Sequence, residues 1–433
     1  MKKIVSSMLC IVMVMAFFTG CGKNDTTTDA GVAPKTSGSE ETVGKDTTEP
    51  ANEVNAEPVN IKVWHDGDEA IMATIKDKVN ETLASEKISV TFEKRSGLTD
   101  QIKLYGNDAS NGPDMYIYAH DSLGIYAEMG VLAPITDLIS ADKMADLLPV
   151  TMKACTYQDT QYLLPIYYET LLFLYNKDLW EGEIPNTTDS LYEYMVAHTD
   201  AAAGTYAVVN QHSTAYNVAP FINGFGGYII NSDAQPGLEE QATMDAITYN
   251  SKFAKLQADG DYNTVTTLFN DKKAQAIIGG PWLIAGIKEA GINLGFKSLA
   301  DFKLPNGNGL APFTGVQGIG VMQHSVADKK AALTRVLEVI ASPELGIDLA
   351  NKSNCAPANS KAYEDATVAA NEMVSAIRAT AETAQPMPNI PEMNVMWAPT
   401  ETLLALVNKS DADVAKTAKQ CQEEALTAIA DMQ

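Results

Sequence analysis

From residue 60 onward the chain repeats one local unit, and that repetition limits the folds open to it. A short β-branched run is followed by a polar break and then by apolar residues at helical spacing. Asn60–Val63 ends at Trp64, the break is His65-Asp66-Gly67-Asp68-Glu69, and Ile71, Ile75, Val79 and Leu83 then recur at every fourth position. Ile88–Phe92 reads as a second strand. A further helix leads to GPDMYIYAHDSLGIYAEMGVLAPI at residues 112–135, where the unit returns. There a Gly-Pro break precedes the strand Met115–Ala119, His120 and Asp121 follow, and Leu123, Tyr126 and Ala127 mark an amphipathic helix. Strands that alternate with helices build an α/β sheet of parallel strands. Ligands of such sheets sit beyond the carboxyl ends of the strands. Trp64–Asp68 and Tyr118–Asp121 both fall on that edge.

The N-terminus belongs to a different regime. Lys2 and Lys3 precede a largely apolar run, Ile4–Phe18, of about 15 residues, where a permanent membrane span needs about 20. A basic start, a short apolar stretch and small residues before Cys21 describe an export signal over residues 1–20. Phe18-Thr19-Gly20-Cys21 resembles the bacterial lipoprotein box, with Phe18 where Leu is usual, which implies cleavage before Cys21 and lipidation of its thiol. The alternative is an ordinary signal peptide with an incidental cysteine. Residues 22–57 contain no aromatic residue, and their only large apolar residues are Val32, Val43 and Val54. Such a segment cannot offset its ordering entropy by burial, so 21–57 reads as a disordered linker. A tether directly after a lipidated cysteine suits a protein that stands off a membrane.

About 375 residues remain, more than one core usually supports, so two domains are expected. Loss of Lys2 and Lys3 with the signal moves the net charge from −24 to −26. That charge argues against nucleic-acid binding and against lying flat on an anionic membrane. Cys155, Cys355 and Cys421 are odd in number and lack CxxC spacing, so no disulfide framework is implied, and a single bridge stays open. Val43-Gly44-Lys45-Asp46 misses the phosphate-loop pattern, which needs Ser or Thr after the Lys, and no cofactor motif is expected.

Two apolar runs flank Tyr167, Tyr168 and Glu169 in YLLPIYYETLLFLYNKD at 162–178. A lone carboxylate there is costly to bury unless paired or hydrogen-bonded. Trp64, Tyr118, Tyr216, Trp282 and Trp397 each stand beside a break or a polar group. Flat aromatic rings match the C–H faces of sugars, and carboxylates accept the hydroxyls at their edges. For any one of these aromatics, Trp64 above all, core filling is the plainer reading. Asp66, Asp68, Asp121 and Glu169 read equally as candidate catalytic carboxylates of a glycosidase. His65-Asp66 and His120-Asp121 lack HExxH or calcium-loop spacing, so no metal is expected.

The chain from about Val59 to the C-terminus resembles the bacterial maltose/maltodextrin-binding proteins, the solute-binding components of ABC importers. The resemblance rests on GPDMYIYAHDSLGIYAEMGVLAPIT, YLLPIYYETLLFLYNKDL, IIGGPW, and MPNIPEM followed by Trp397. It implies a periplasmic-binding-protein-like α/β fold, with two α/β lobes, a hinge and an interlobe ligand cleft. One lobe would cover 59–167 plus 317–367, the other 170–314 plus 371–433. Residue by residue it implies ligand contacts at Asp68, Tyr118, Asp121, Glu169, Tyr216, Trp282 and Trp397. Glu69, Ser122, Ala398 and Glu401 depart from the family, which has basic residues at the first, second and fourth places and tyrosine at the third. A glutamate expected before Tyr216 falls on Thr214, though the alignment is loose there.

The expected function is capture of a neutral oligosaccharide, of maltose or maltodextrin type, by a lipid-anchored extracytoplasmic monomer that delivers it to ABC permease subunits. With the basic residues lost, an acidic sugar is expected to meet only like charge. No catalytic residue is assigned. The rival readings are an extracellular glycosidase using Asp121 and Glu169, a binding protein for another neutral oligosaccharide, and a cell-surface adhesion module.

Overall fold

The computed structural model describes residues 57–432; the signal, Cys21 and nearly all of the linker lie outside the described residues. The described residues form one compact unit. The strands are β1 Val59–His65, β2 Ile88–Lys94, β3 Met115–Ala119, β4 Thr156–Tyr157, β5 Thr160–Gln161, β6 Leu163–Thr170 and β7 Leu172–Asn176. They continue with β8 Tyr206–Val209, β9 Ala274–Gly279, β10 Leu294–Lys297, β11 Phe313–Val321, β12 Ala356–Pro357 and β13 Gln385–Pro386. The larger sheet runs β12-β6-β11-β3-β1-β2, with β13 added beside β11, and the smaller one β10-β7-β9-β8. β4 and β5 form a separate hairpin.

The parallel expectation holds for β1, β2 and β3, whose connections carry helices. It does not extend across the sheet: β11 runs antiparallel to both β3 and β6, and β12 antiparallel to β6. The physical reason is the route of the chain. Parallel neighbours need a crossover connection, whereas β6 and β11 lie side by side in the larger sheet in opposite directions, the chain leaving for the smaller sheet after β6 and returning at β11. Only Leu171 separates β6 from β7, and β7 is already part of the smaller sheet. β11 pairs with β6 up to Thr314–Thr170, at that same passage.

The helix Glu69–Leu83 shows how local sequence sets the site. Asp68 caps it, its Oδ1 accepting from Ala70 N and Ile71 N at 2.8 and 3.2 Å. Its core face is Met72, Ile75, Val79 and Leu83. Ile71 shares the helical spacing but is only half-buried, because it looks toward a cavity rather than into the core. Phe173, Phe253, Phe302, Met393 and Leu403 anchor a separate core under the smaller sheet. Cys155, Cys355 and Cys421 are buried free thiols, which closes the question of a bridge among them. Trp64 is core, 2% exposed. Its Nε1 donates to Glu93 at 3.0 Å, and the Arg95 guanidinium lies 4.4 Å from its ring. Among the described residues no helix is long and apolar enough to cross a membrane.

Candidate functional site

A cavity of about 470 Å³ opens at the passage between the sheets. Its walls come from the Gly67–Ile71 turn after β1, from Tyr167 and Glu169 on β6, and from Gln317 on β11. The helix start Pro281–Ala285 after β9, Lys288, and the helix end Lys352–Asn354 complete it. Of the residues singled out in the sequence, Asp68, Glu169 and Trp282 line this space, while Tyr118, Asp121, Tyr216 and Trp397 do not line it. Tyr216 reaches it through Trp282 and Trp397 through Phe313, whereas Tyr118 and Asp121 act on each other and on Asp66. Tyr216 lies 6.2 Å from Trp282 and 6.3 Å from Phe313, and Phe313 lies 6.5 Å from Trp397. Trp282, Tyr216 and Trp397 thus belong to one aromatic cluster, with Phe313 as its unforeseen link.

Trp282 is the cluster's open face, 41% exposed. Gly280 makes its pose possible. A Cβ at Gly280 would run into the six-membered part of the Trp282 ring, so only glycine lets the indole lie against the backbone there.

The carboxylates are set by their surroundings. Burial lifts the Glu169 carboxyl above its ordinary range, and a hydrogen bond from Gln317 Nε2 to Oε1 at 3.1 Å works against that. Burial also raises Asp121, against the pull of neighbouring His120, and Asp121 Oδ1 is a buried acceptor with no partner. A buried acceptor without a partner is costly unless a donor reaches it. Desolvation lifts Asp66 as well, with Lys94 opposing and Asp121 adding to the rise. Burial raises the Tyr118 hydroxyl, helped by Asp66 and Asp121 and opposed by Thr99. The Tyr216 hydroxyl is likewise raised by burial, and feels both Glu169 and Asp121. Both tyrosines therefore stay protonated and can donate.

The departures from the family pattern acquire places. Glu69 sits 3.8 Å from Lys94 of β2, a cation that also acts on Asp66, so positive charge reaches this edge from a different strand. Glu401, where an arginine was expected, accepts from Ala215 N at 3.4 Å and so faces the start of the helix Ala215–Phe225 that carries Tyr216. A carboxylate there complements the helix dipole. Lys288 and Lys352 line the cavity itself. The expectation that an acidic sugar meets only like charge is therefore corrected: folding brings lysines from distant segments to a wall that looked acidic in sequence.

Sequence reasoning missed Tyr167, Gln317, Phe313, Lys94, Lys288 and Lys352. Tyr167 carried a signal, because residues two apart on a strand share a face and Glu169 was already chosen. Gln317 faces Tyr167 through the β11–β6 register, which no local pattern encodes. The lysines sit on a strand and helix ends like many surface lysines. Among the described residues no group of three or more His, Cys, Asp or Glu could hold a metal ion.

Two α/β lobes whose sheets meet at a cavity lined by an exposed tryptophan and two carboxylates are the arrangement of a solute-binding protein. The chain belongs to the family of bacterial extracellular solute-binding proteins, whose pattern matches residues 77–376. It is 27% identical to a maltotriose-binding protein of Pyrococcus abyssi, over 84% of this chain and 82% of that protein. It is also 27% identical to a galactooligosaccharide-binding protein of Bacillus subtilis, over 84% and 88%. A maltooligosaccharide ABC transporter solute-binding lipoprotein of Streptococcus pneumoniae matches at 27% over 86% and 89%. Among solved structures, a cyclo/maltodextrin-binding protein complexed with maltotetraose superposes with a TM-score of 0.75, at 24% identity, covering 86% of this chain and 98% of that one. The maltose-binding protein of Listeria monocytogenes in complex with maltose gives 0.73 at 25% identity, covering 86% and 98%.

Proposed function

We propose that this chain is the sugar-capturing component of an ABC importer and takes a neutral oligosaccharide of the maltodextrin type into the interlobe cleft. The observation that carries the reading is Trp282 lining one cavity with Asp68 and Glu169, with Tyr216, Phe313 and Trp397 clustered behind it. Sugar faces lie on the rings, and hydroxyls go to Asp68, Asp121 and Glu169. The first lobe reaches the ligand through Tyr118, Asp121 and Asp68, the second through Tyr216, Trp282 and Trp397. A ligand that touches both lobes favours the closed state, which permease subunits then recognise.

The relatives named for maltotriose and for maltooligosaccharides support this sugar class. A relative named for galactooligosaccharides at the same identity makes linkage the open variable. The streptococcal lipoprotein supports anchoring through Cys21, with 59–167 plus 317–367 and 170–314 plus 371–433 as the two lobes. The chain acts by binding, as a monomer and without cofactor. Calorimetry with maltotriose, maltotetraose and a β-linked galactooligosaccharide tests it. Binding of an α-glucan supports the reading, and binding of the β-galactan alone moves the substrate to that class. Shortened products after incubation would instead establish the glycosidase.

A further inference from the structure

Three strands meet around one buried histidine. β3 and β13 lie end to end along the same side of β11, β3 pairing with Gln317–Val321 and β13 with Phe313 and Thr314. The gap between them falls at Gly315 and Val316, and His120 fills it. Ala119 pairs with Gln317, so the next antiparallel pair would set residue 120 opposite Val316, but β3 has ended. The side chain makes the bond instead: Val316 N donates to His120 Nδ1 at 3.1 Å. The other ring nitrogen, Nε2, lies 2.9 Å from the carbonyl oxygen of Met387, one residue beyond β13. A carbonyl only accepts, and Nδ1 is already an acceptor, so Nε2 carries the proton and the ring is neutral. The side chain is 0% exposed.

The tie spans parts of the fold that have different loyalties. β3 belongs to the larger sheet, whereas Met387 packs in the core under the smaller one with Met393 and Met396. The residue after His120 is Asp121, whose Oδ1 is a buried acceptor without a partner and which the proposed function assigns to the ligand.

We propose that His120 is a positioning residue for the ligand cleft: as neutral imidazole it binds β11 to the 387 segment and so holds Asp121 in place, and protonation releases both. The proposal rests on the cleft being the ligand site. An imidazolium has two N–H donors, and its Nδ1–H would face the Val316 N–H, donor against donor. Burial already holds His120 below its ordinary range, with Asp121 opposing. β11 and residues 386–390 bring no charged side chain to it. Of the other packed elements, β3 offers Tyr116 and Tyr118, and the helix Leu123–Glu128 offers Glu128, engaged by Tyr157 and Gln158. The helix Met393–Ser410 offers Glu401, turned to Ala215, with Glu392 at its cap and Lys409 in its last turn. Asp121 is the charge whose field acts on the ring.

The test uses the full chain and maltotriose. His120→Asn keeps an acceptor near the Nδ1 position, His120→Gln keeps a donor near Nε2, and neither titrates. The parent Kd is expected to rise about fivefold or more from about pH 7.5 to about pH 4.5, a span carried below the ordinary histidine range because burial lowers His120. Both variants should bind more weakly than the parent at the upper end and lose that part of the pH profile. Variants whose Kd profile parallels the parent's, with any loss confined to thermal stability, would overturn the proposal. The protection of the Val316 amide against hydrogen exchange, corrected for intrinsic rate, should fall on acidification more than that of its neighbours on β11. That measurement on ligand-free parent decides the matter if the variants do not fold. It also decides if no oligosaccharide binds, an outcome that removes the ligand reading alone. Unchanged protection across the range overturns the His120 role.

Discussion

Trp282→Ala is the most direct perturbation of the cleft. The side chain is 41% exposed in the ligand-free protein. Taking roughly 250 Å² as the full area of a tryptophan side chain, about 100 Å² is free for a sugar to cover. At about 25 cal/mol per Å² that area corresponds to ~2.5 kcal/mol if wholly covered by apolar surface. A sugar face is only partly apolar, so we expect a loss of ~1–2.5 kcal/mol, or about 5- to 70-fold in Kd. The fold should survive, because the exposed part of the ring makes no core contact. Isothermal titration with maltotriose, alongside thermal unfolding of the free variant, measures both quantities. A Kd within twofold of the parent, with unchanged stability, would refute the stacking argument and with it the placement of the ligand against this wall.

Gly280→Ala tests the same wall without touching the ligand: the added methyl collides with the Trp282 ring, so binding should weaken while the indole's fluorescence shifts. An unaltered Kd would mean that the ring pose is not what the sugar reads. Glu169→Gln should stabilise the free protein and weaken sugar binding. Burial raises the folded-state value, so the folded chain binds the proton more tightly than the unfolded one, and the charged form costs stability above the unfolded value. That cost is relieved as pH falls through the raised value toward the unfolded one, so the gain in Tm over the parent should shrink there. A variant less stable than its parent at neutral pH would contradict this. Cys21→Ser should shift the protein from the membrane fraction to the medium, or leave it unprocessed. Intact processing and unchanged fractionation would remove the anchor.

The sequence determined what depends on short range. The strand and helix periods of residues 60–135 follow from alternation and four-residue spacing, and β1, β2, β3 and their helices lie where that spacing puts them. Asp68 was legible as a carboxylate at the carboxyl edge of a strand and through the family resemblance, and Glu169 because a carboxylate in an apolar run is costly to bury unless paired. Tertiary structure decided everything that requires two distant segments to meet. The opposite directions of β6 and β11 came from the chain leaving the larger sheet after β6 and returning to it at β11, which a parallel βα reading does not contain. Glu401 became a partner for a helix start, and Lys94 a neighbour of Asp66, because folding juxtaposes residues far apart in the chain. His120 is the clearest case. In sequence it is one more polar residue after a strand, and its two hydrogen bonds go to Val316 and Met387. Hydrogen-bond partners across the fold are set by strand register, and register is fixed only when the apolar faces of separate segments pack together.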